Sequence, residues 1–172
     1  NFTMPAYNDL VITPHYTDAV TAEDGLYVNM PRKNTYAAPK MVNFPDGVSS
    51  FKVYDHAGPT AVYGLLCDGY MILSAPENKK ILLTGTVMTE RGCDYLEIYD
   101  GNTTETLIGS YGNYHYVSPG TYEGQDIGEV RSSGQYLLLH FVSDGYGNYD
   151  GINIKAELVT DPNLPTAFSG FT

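Results

Sequence analysis

The chain has 172 residues with 20 acidic and 9 basic side chains, a net charge of -11, and this excludes sequence-independent attachment to DNA, RNA or anionic lipid, which needs clustered Lys and Arg. With 16 Tyr, 18 Gly and 10 Pro and no helical apolar period kept for three turns, a helical core is excluded; an all-β domain with a short extension remains. No apolar run approaches the roughly 20 residues of a bilayer span, and the opening lacks the charged-then-apolar build of a signal peptide, so the chain reads as a processed or excised piece without membrane insertion.

Residues 1–18 carry an alternating signal at Leu10, Val11 and Ile12, read as an edge strand or as the last strand of a preceding β module. Residues 19–50 form a connecting segment. Two apolar runs, "GLYVNM" and "PKMVNF", predict one or two edge strands, because Pro31 and Pro39 keep their neighbours out of central positions. Pro45, Asp46 and Gly47 make a turn.

From Phe51 the strands follow quickly: "FKVYD", "GYMILSA", "KKILLTGTVM", "DYLEIY", "TLIGSY", a less regular patch from Tyr114 to Gln125, "DIGEVRS", "QYLLLHFVS" and "INIKAELV". Turn signals at "APENKK", "YDGNTT", "SSGQ" and "DGYGNYDG" separate them. Short alternating strands with such punctuation predict a two-sheet antiparallel β-sandwich over residues 51–160. The Pro-rich, non-periodic residues 161–172 read as a linker.

The chemistry concentrates in two acidic turns. "TERGCDYLEIYDG" places Glu90 and Asp94 before a strand, and "HFVSDGYGNYDG" places Asp144 after one. If the two strands are antiparallel neighbours, Glu90, Asp94 and Asp144 converge at one end of a sheet. Such a gathering costs roughly 1 to 4 kcal/mol per pair without a countercharge, so the carboxylates either diverge into solvent or share a cation. An all-oxygen cluster on flexible loops suits calcium, whose 6 to 8 oxygens would draw also on carbonyls near Gly145 and Tyr146 or on the Asn148 side chain. Asp100, before Gly101, reads as a turn former.

Other chemistries find less support. His15, His56, His115 and His140 lack zinc-ligand spacing, and His140 alternates with core-facing Leu139 and Phe141, which places it on an outward face. "IGSYG" lacks the nucleophile-elbow spacing and no helix follows a glycine-rich phosphate cradle, so no catalysis is expected. Cys67 and Cys93 allow one intramolecular disulfide or two buried thiols. Tyr114, Tyr116, Tyr146 and Tyr149 lie with Tyr111 and Tyr122 in Gly- and Asn-rich loops, a composition suited to a protein or glycan contact surface, or simply to cross-strand packing.

"CDYLEIYDG" followed by "SSGQYLLLHFVSDGYGNYDGINI" resembles the CUB domain, an extracellular β-sandwich whose strings read D-x-L-x-I-x-D-G and S-G-x-x-L-x-L-x-F-x-S-D. The upstream "VYDHAGPTAVYGLLCDGYMILSAPENKKILLTGTVMTE" is similar to the opening of CUB-like domains of bacterial surface proteins, so the resemblance covers about residues 51–160. "FTMPAYNDLVITPHY" resembles the closing segment of small bacterial surface β-repeat modules. The resemblance implies a CUB-like jelly roll with calcium at Glu90, Asp94 and Asp144, and with Tyr63 buttressing Glu90. CUB domains usually place two disulfides differently, so no pairing of Cys67 with Cys93 is inherited.

The function so implied is a non-catalytic, calcium-stabilised binding or adhesion module of a secreted or cell-surface multidomain protein, meeting an extracellular protein or glycan and its own neighbouring domains. The alternatives are a carbohydrate-binding module attached to a secreted glycoside hydrolase or adhesin, and a structural spacer.

Overall fold

The computed structural model describes residues 21–22 and 25–161; the expected strand at 10–12, His15 and residues 162–172 of the expected linker lie outside the described residues. Two sheets face each other and, among the described residues, no helix forms, let alone one long and apolar enough to cross a membrane. The first sheet holds β1 (Thr21–Ala22), β2 (Leu26–Asn29), β4 (Ser50–Tyr54), β6 (Lys79–Met88), β9 (Tyr114–Ser118), β10 (Thr121–Asp126), β11 (Val130–Arg131) and β13 (Gly151–Thr160). The second holds β3 (Lys40–Asn43), β5 (Asp68–Ser74), β7 (Tyr95–Asp100), β8 (Leu107–Tyr111) and β12 (Tyr136–Val142). Their orders are β1-β2-β4-β13-β6-β10-β9, with β11 also on β6, and β3-β5-β12-β7-β8. The fold is an all-β two-sheet sandwich.

Period-two alternation fills the space between the sheets. Ile81, Leu83 and Val87 of β6 and Ile152, Ile154 and Ala156 of β13 meet Met71, Leu73, Leu96, Ile98, Leu137, Leu139 and Phe141 from the second sheet, all buried. Burying each large aliphatic side chain stabilises the fold by about 1.5 to 3 kcal/mol. Val28, Met30, Val42 and Phe44 belong to the same core, so residues 26–44 pack as part of the sandwich.

Three local differences from the sequence reading have physical causes. β2 pairs β4 and β3 pairs β5 in parallel, because each pair is joined by a crossover through the other sheet and not by a hairpin; the other pairings between these strands are antiparallel, and of the two expected edge strands β3 ends its sheet while β2 lies inside β1. The irregular patch at 114–125 is the hairpin β9–β10, closed through Pro119 and Gly120, whose φ is +79°. The expected strand over 126–132 shrinks to Val130–Arg131, since Asp126 caps the Gly128 amide at 2.8 Å and turns the chain there.

One buried acid locks the end of β4 to the start of β13. Asp55 is fully buried and accepts bonds from the Ala57 amide at 2.9 Å and the Ile152 amide at 3.2 Å. Gly151 passes so close that a Cβ there would lie 2.0 Å from Asp55 Oδ2, and its φ is +78°. Burial, only partly opposed by the two amides, pushes the Asp55 carboxyl up to about 6.

Two outcomes follow from this packing. Leu139→Ala is expected to lower the unfolding free energy by about 2 to 5 kcal/mol in a denaturant titration, whereas exposed Leu107→Ala stays within about 0.5 kcal/mol. Because Asp55 holds its proton more tightly folded than unfolded, its contribution is full below about pH 4 and is lost as pH rises through about 6. Melting curves of Asp55→Asn, set against the unmodified chain, should therefore lack that component of decline between those two pH values.

Candidate metal centre

β7 and β12 are hydrogen-bonded neighbours, with Tyr95 opposite Val142 and Leu96 opposite Phe141. That register brings the loop entering β7 and the loop leaving β12 to one rim. The first loop closes on itself: the Cys93 and Asp94 amides donate to the Glu90 carbonyl at 3.3 and 3.2 Å, and the Thr89 hydroxyl donates to the Asp94 carbonyl at 2.8 Å.

Asp94 joins the two loops. Its side chain is 1% exposed; Oδ1 accepts the Asp144 amide at 2.7 Å and Oδ2 accepts the Tyr63 hydroxyl at 2.6 Å. That hydroxyl in turn accepts the Glu90 amide at 3.1 Å. Tyr63 is itself fully buried, edge-on to Phe141 with ring centres 5.2 Å apart. Burial and the bond to Asp94 hold its hydroxyl far above the usual phenol range, so it stays a donor. Tyr63 thus supports Glu90 through its backbone and Asp94 through its side chain.

Glu90, Cys93 and Asp144 come together. One carboxylate oxygen from each acid and the Cys93 sulfur all lie within 4.8 Å of one another. The Glu90 carboxylate rests on Gly147, where a Cβ would approach its Cδ to 2.8 Å, and its Oε2 is buried with no hydrogen-bond partner among the described residues. Loss of water, then Asp144, then Asp94 push the Glu90 carboxyl above its ordinary range. The Cys93 thiol is pushed up by loss of water first, then by Glu90 and the two aspartates. Among the described residues no salt bridge reaches these acids. Adjacent Arg91 instead donates to Asn113 Oδ1 at 2.8 Å and to the Tyr114 carbonyl at 3.4 Å.

A divalent cation fits this donor set. The orphaned Glu90 oxygen is open to a positive partner, Asp144 keeps one carboxylate oxygen beyond the bond from the Tyr146 amide, and each Asp94 oxygen retains a lone pair. Glu90 and Asp144 would hold calcium directly; Asp94, expected to converge with them, is drawn inward by Tyr63 and the Asp144 amide and stands outside the closest cluster, so its share would come through the remaining lone pairs. Gly145 is half-buried in the same loop, and Asn148 is exposed there.

The remaining expected residues sort by their contacts. Tyr114 stacks on Tyr149 at 4.9 Å and meets Tyr122 edge-on at 5.4 Å, while Tyr116 meets Tyr122 at 5.9 Å. These four tyrosines pack on one another across the β9–β10 hairpin, whereas Tyr146 is 81% exposed beside Asp144. Cys67 and Cys93 are not paired. Cys67 is buried and donates to the Gly64 carbonyl at 3.1 Å, while Cys93 is exposed at the rim. Among the described residues the histidines do not gather as zinc ligands, but a thiol stands beside two acids at the rim, which histidine spacing does not reveal. His140 faces outward, stacked 3.9 Å from Tyr70 and bonded to Asp68 and Glu97.

Two supporting residues lie outside the expected site: His56, which no spacing singles out, and Ser143, the serine of the S-D string. His56 Nε2 accepts the Gly64 amide at 2.7 Å, and burial with nearby Arg32 lowers its pKa, so the ring is neutral with its proton on Nδ1. Ser143 accepts the Cys67 amide at 2.9 Å and donates to the Gly64 carbonyl at 2.8 Å, tying residues 64–67 to the loop after β12. The "S-D" pair thus divides its work, serine inward and aspartate to the rim.

No family model matches this sequence, and no curated protein matches it. Among solved structures the chain is similar to the full extracellular region of zebrafish Gpr126/Adgrg6, with a TM-score of 0.51 and 13% identity over 72% of this chain and 15% of that one. It is also similar to the CUB1-EGF-CUB2 domains of rat MASP-1, with a TM-score of 0.51 and 13% identity over 71% of this chain and 43% of that one. The chain therefore spans less than half the length of either. At such identity the likeness concerns fold alone, and the sandwich is CUB-like.

Proposed function

We propose that this chain is a non-catalytic, calcium-stabilised binding or adhesion module of a longer extracellular protein, secreted or held at a cell surface. One observation carries the reading: among the described residues, Glu90 and Asp144 converge with no basic partner while Glu90 Oε2 is buried and unbonded. When bound, the ion offsets the repulsion among the acids and ties the loops before β7 and after β12. Tyr63 and Asp94 hold the loops in register for it, by direct bonds to the Glu90 and Asp144 backbones. The extracellular setting draws support from the CUB-like fold and from the likeness to the extracellular region of zebrafish Gpr126/Adgrg6.

The contact surface in this reading is the rim itself. Tyr146 and Leu66 are exposed there, and Leu66, at φ 57°, donates its amide to the Asp144 carbonyl. Ordering Asp144 by metal therefore orders Leu66. A protein or glycan ligand would meet this surface, its identity being a matter of site chemistry and not of fold.

A separate feature favours a carbohydrate-binding role as the second reading. A cleft of about 670 Å³ opens between the β9–β10 hairpin and residues 58–62, lined by Tyr54, Tyr122, Glu123, Asp126 and Asn153 among others. Aromatic faces beside hydrogen-bonding groups suit sugar rings. A glycan array read with and without chelator separates the two: chelator-sensitive binding of a protein ligand with silence on the array supports the first, and chelator-insensitive capture of one sugar class supports the second.

Calcium at about 100 times its dissociation constant is expected to add about 2.7 kcal/mol and raise the melting temperature by roughly 5 to 10 °C. Asp144→Ala should abolish that increment in calorimetry and in thermal scans. Equal melting temperatures for the demetallated and calcium-loaded chain would remove the metal role. Tyr63→Phe is expected to lower calcium affinity by about tenfold and to cost about 1 to 3 kcal/mol of stability, since it deletes the donor to a buried carboxylate.

A further inference from the structure

Cys93 is the member of the cluster that the calcium reading leaves unused. It lies in the turn before β7, and its sulfur stands with a Glu90 oxygen and an Asp144 oxygen inside a 4.8 Å sphere of mutual distances. Asp94 is not in that set. Its oxygens are drawn inward to Tyr63 and the Asp144 amide, so the three side chains closest to one another are one thiol and two carboxylates.

We propose that this rim is a two-mode metal site, in which Cys93 recruits a thiophilic divalent ion of the zinc class that competes with calcium for Glu90 and Asp144. The proposal deepens the reading above by naming a second ligand and a regulation of the same site. Size supports two modes. Calcium–oxygen bonds of about 2.4 Å let ligand atoms on opposite sides of the ion lie about 4.8 Å apart, whereas tetrahedral zinc with bonds of about 2.3 Å to sulfur and 2.1 Å to oxygen draws them to about 3.6 Å. Mutual distances that stay within 4.8 Å leave room for the larger ion, and a closer approach of the same three side chains would suit the smaller.

Donor chemistry points the same way. A carboxylate set alone discriminates little among divalent ions beyond size, while a thiolate selects borderline and soft metals. Cys93 is exposed, in no disulfide, and its thiol is hydrogen-bonded to Asp144, so it already stands on the carboxylate it would share an ion with, unlike Cys67, which is buried against Gly64. Independently of the thiol, Glu90 Oε2 is buried with no hydrogen bond and faces a loop backbone at Gly147. On binding, the sulfur–metal bond forms as the thiol proton leaves to solvent, and water fills the fourth position. Zinc would thereby draw the 90–94 turn toward Asp144 and release Asp94 from any share in the ion.

The test uses the whole chain, kept reduced with a phosphine and freed of metal. Cobalt(II), which stands in for zinc, is expected to bind one per chain and give a near-ultraviolet thiolate-to-cobalt absorption band. Zinc should abolish the band and displace calcium. Cys93→Ser should lose the band and weaken zinc by at least about tenfold while leaving calcium affinity within about threefold; Cys67→Ser should keep the band. Absence of the band in the unmodified chain, or its persistence in Cys93→Ser, overturns the proposal. A band in a chain that binds no calcium would sustain the thiolate site and sink the calcium reading; calcium binding without a band does the reverse.

Discussion

The rim depends on one buried hydrogen-bond relay, from the Tyr63 hydroxyl to Asp94 and from the Asp144 amide to the same carboxylate. A charged side chain 1% exposed is costly to bury, and only bonds to each of its oxygens make its position stable. Because those bonds reach three separate segments, at Tyr63, Asp94 and Asp144, they set the distance between the two acidic loops. Without them, Glu90 and Asp144 would relax apart under their own repulsion.

The sandwich makes the relay possible. β12 lies between β5 and β7, so Asp144 and Asp94 emerge from adjacent strands, and Tyr63 reaches them across the core from the segment before β5. Ser143 and His56 fasten that segment, and Asp55 fastens β4 to β13 just beneath it. Buried polar bonds therefore concentrate at the end of the fold that carries the exposed acids. This division sets a rigid polar layer under a charged rim, the kind of support that fixes exposed carboxylates in one geometry.

Much of this was legible beforehand. Leu96 and Ile98 alternating with Glu97, and Leu137, Leu139 and Phe141 alternating toward Asp144, mark two half-buried strands with acids at matching ends, and β7 and β12 pair in the register that this implies. The convergence of Glu90 with Asp144 followed from that pairing. The hairpin at 114–125 was harder, since its exposed face lets Tyr, His and Gly stand where a half-buried strand would show alternation. The parallel pairings of β2 and β3 were also hidden, because direction depends on how the chain crosses between sheets and not on the residues within four-residue strands.

Residue order alone determined an acidic, helix-poor, two-layered β chain with carboxylates on two particular turns, because side-chain periodicity and turn chemistry are local properties. Only the tertiary structure decided that Asp94 turns inward to Tyr63, that Cys93 takes the place beside Glu90 and Asp144, and that Cys67 stays apart from it. Those outcomes depend on which hydrogen bonds a buried oxygen can reach, and that is set by strands distant in sequence meeting across the core.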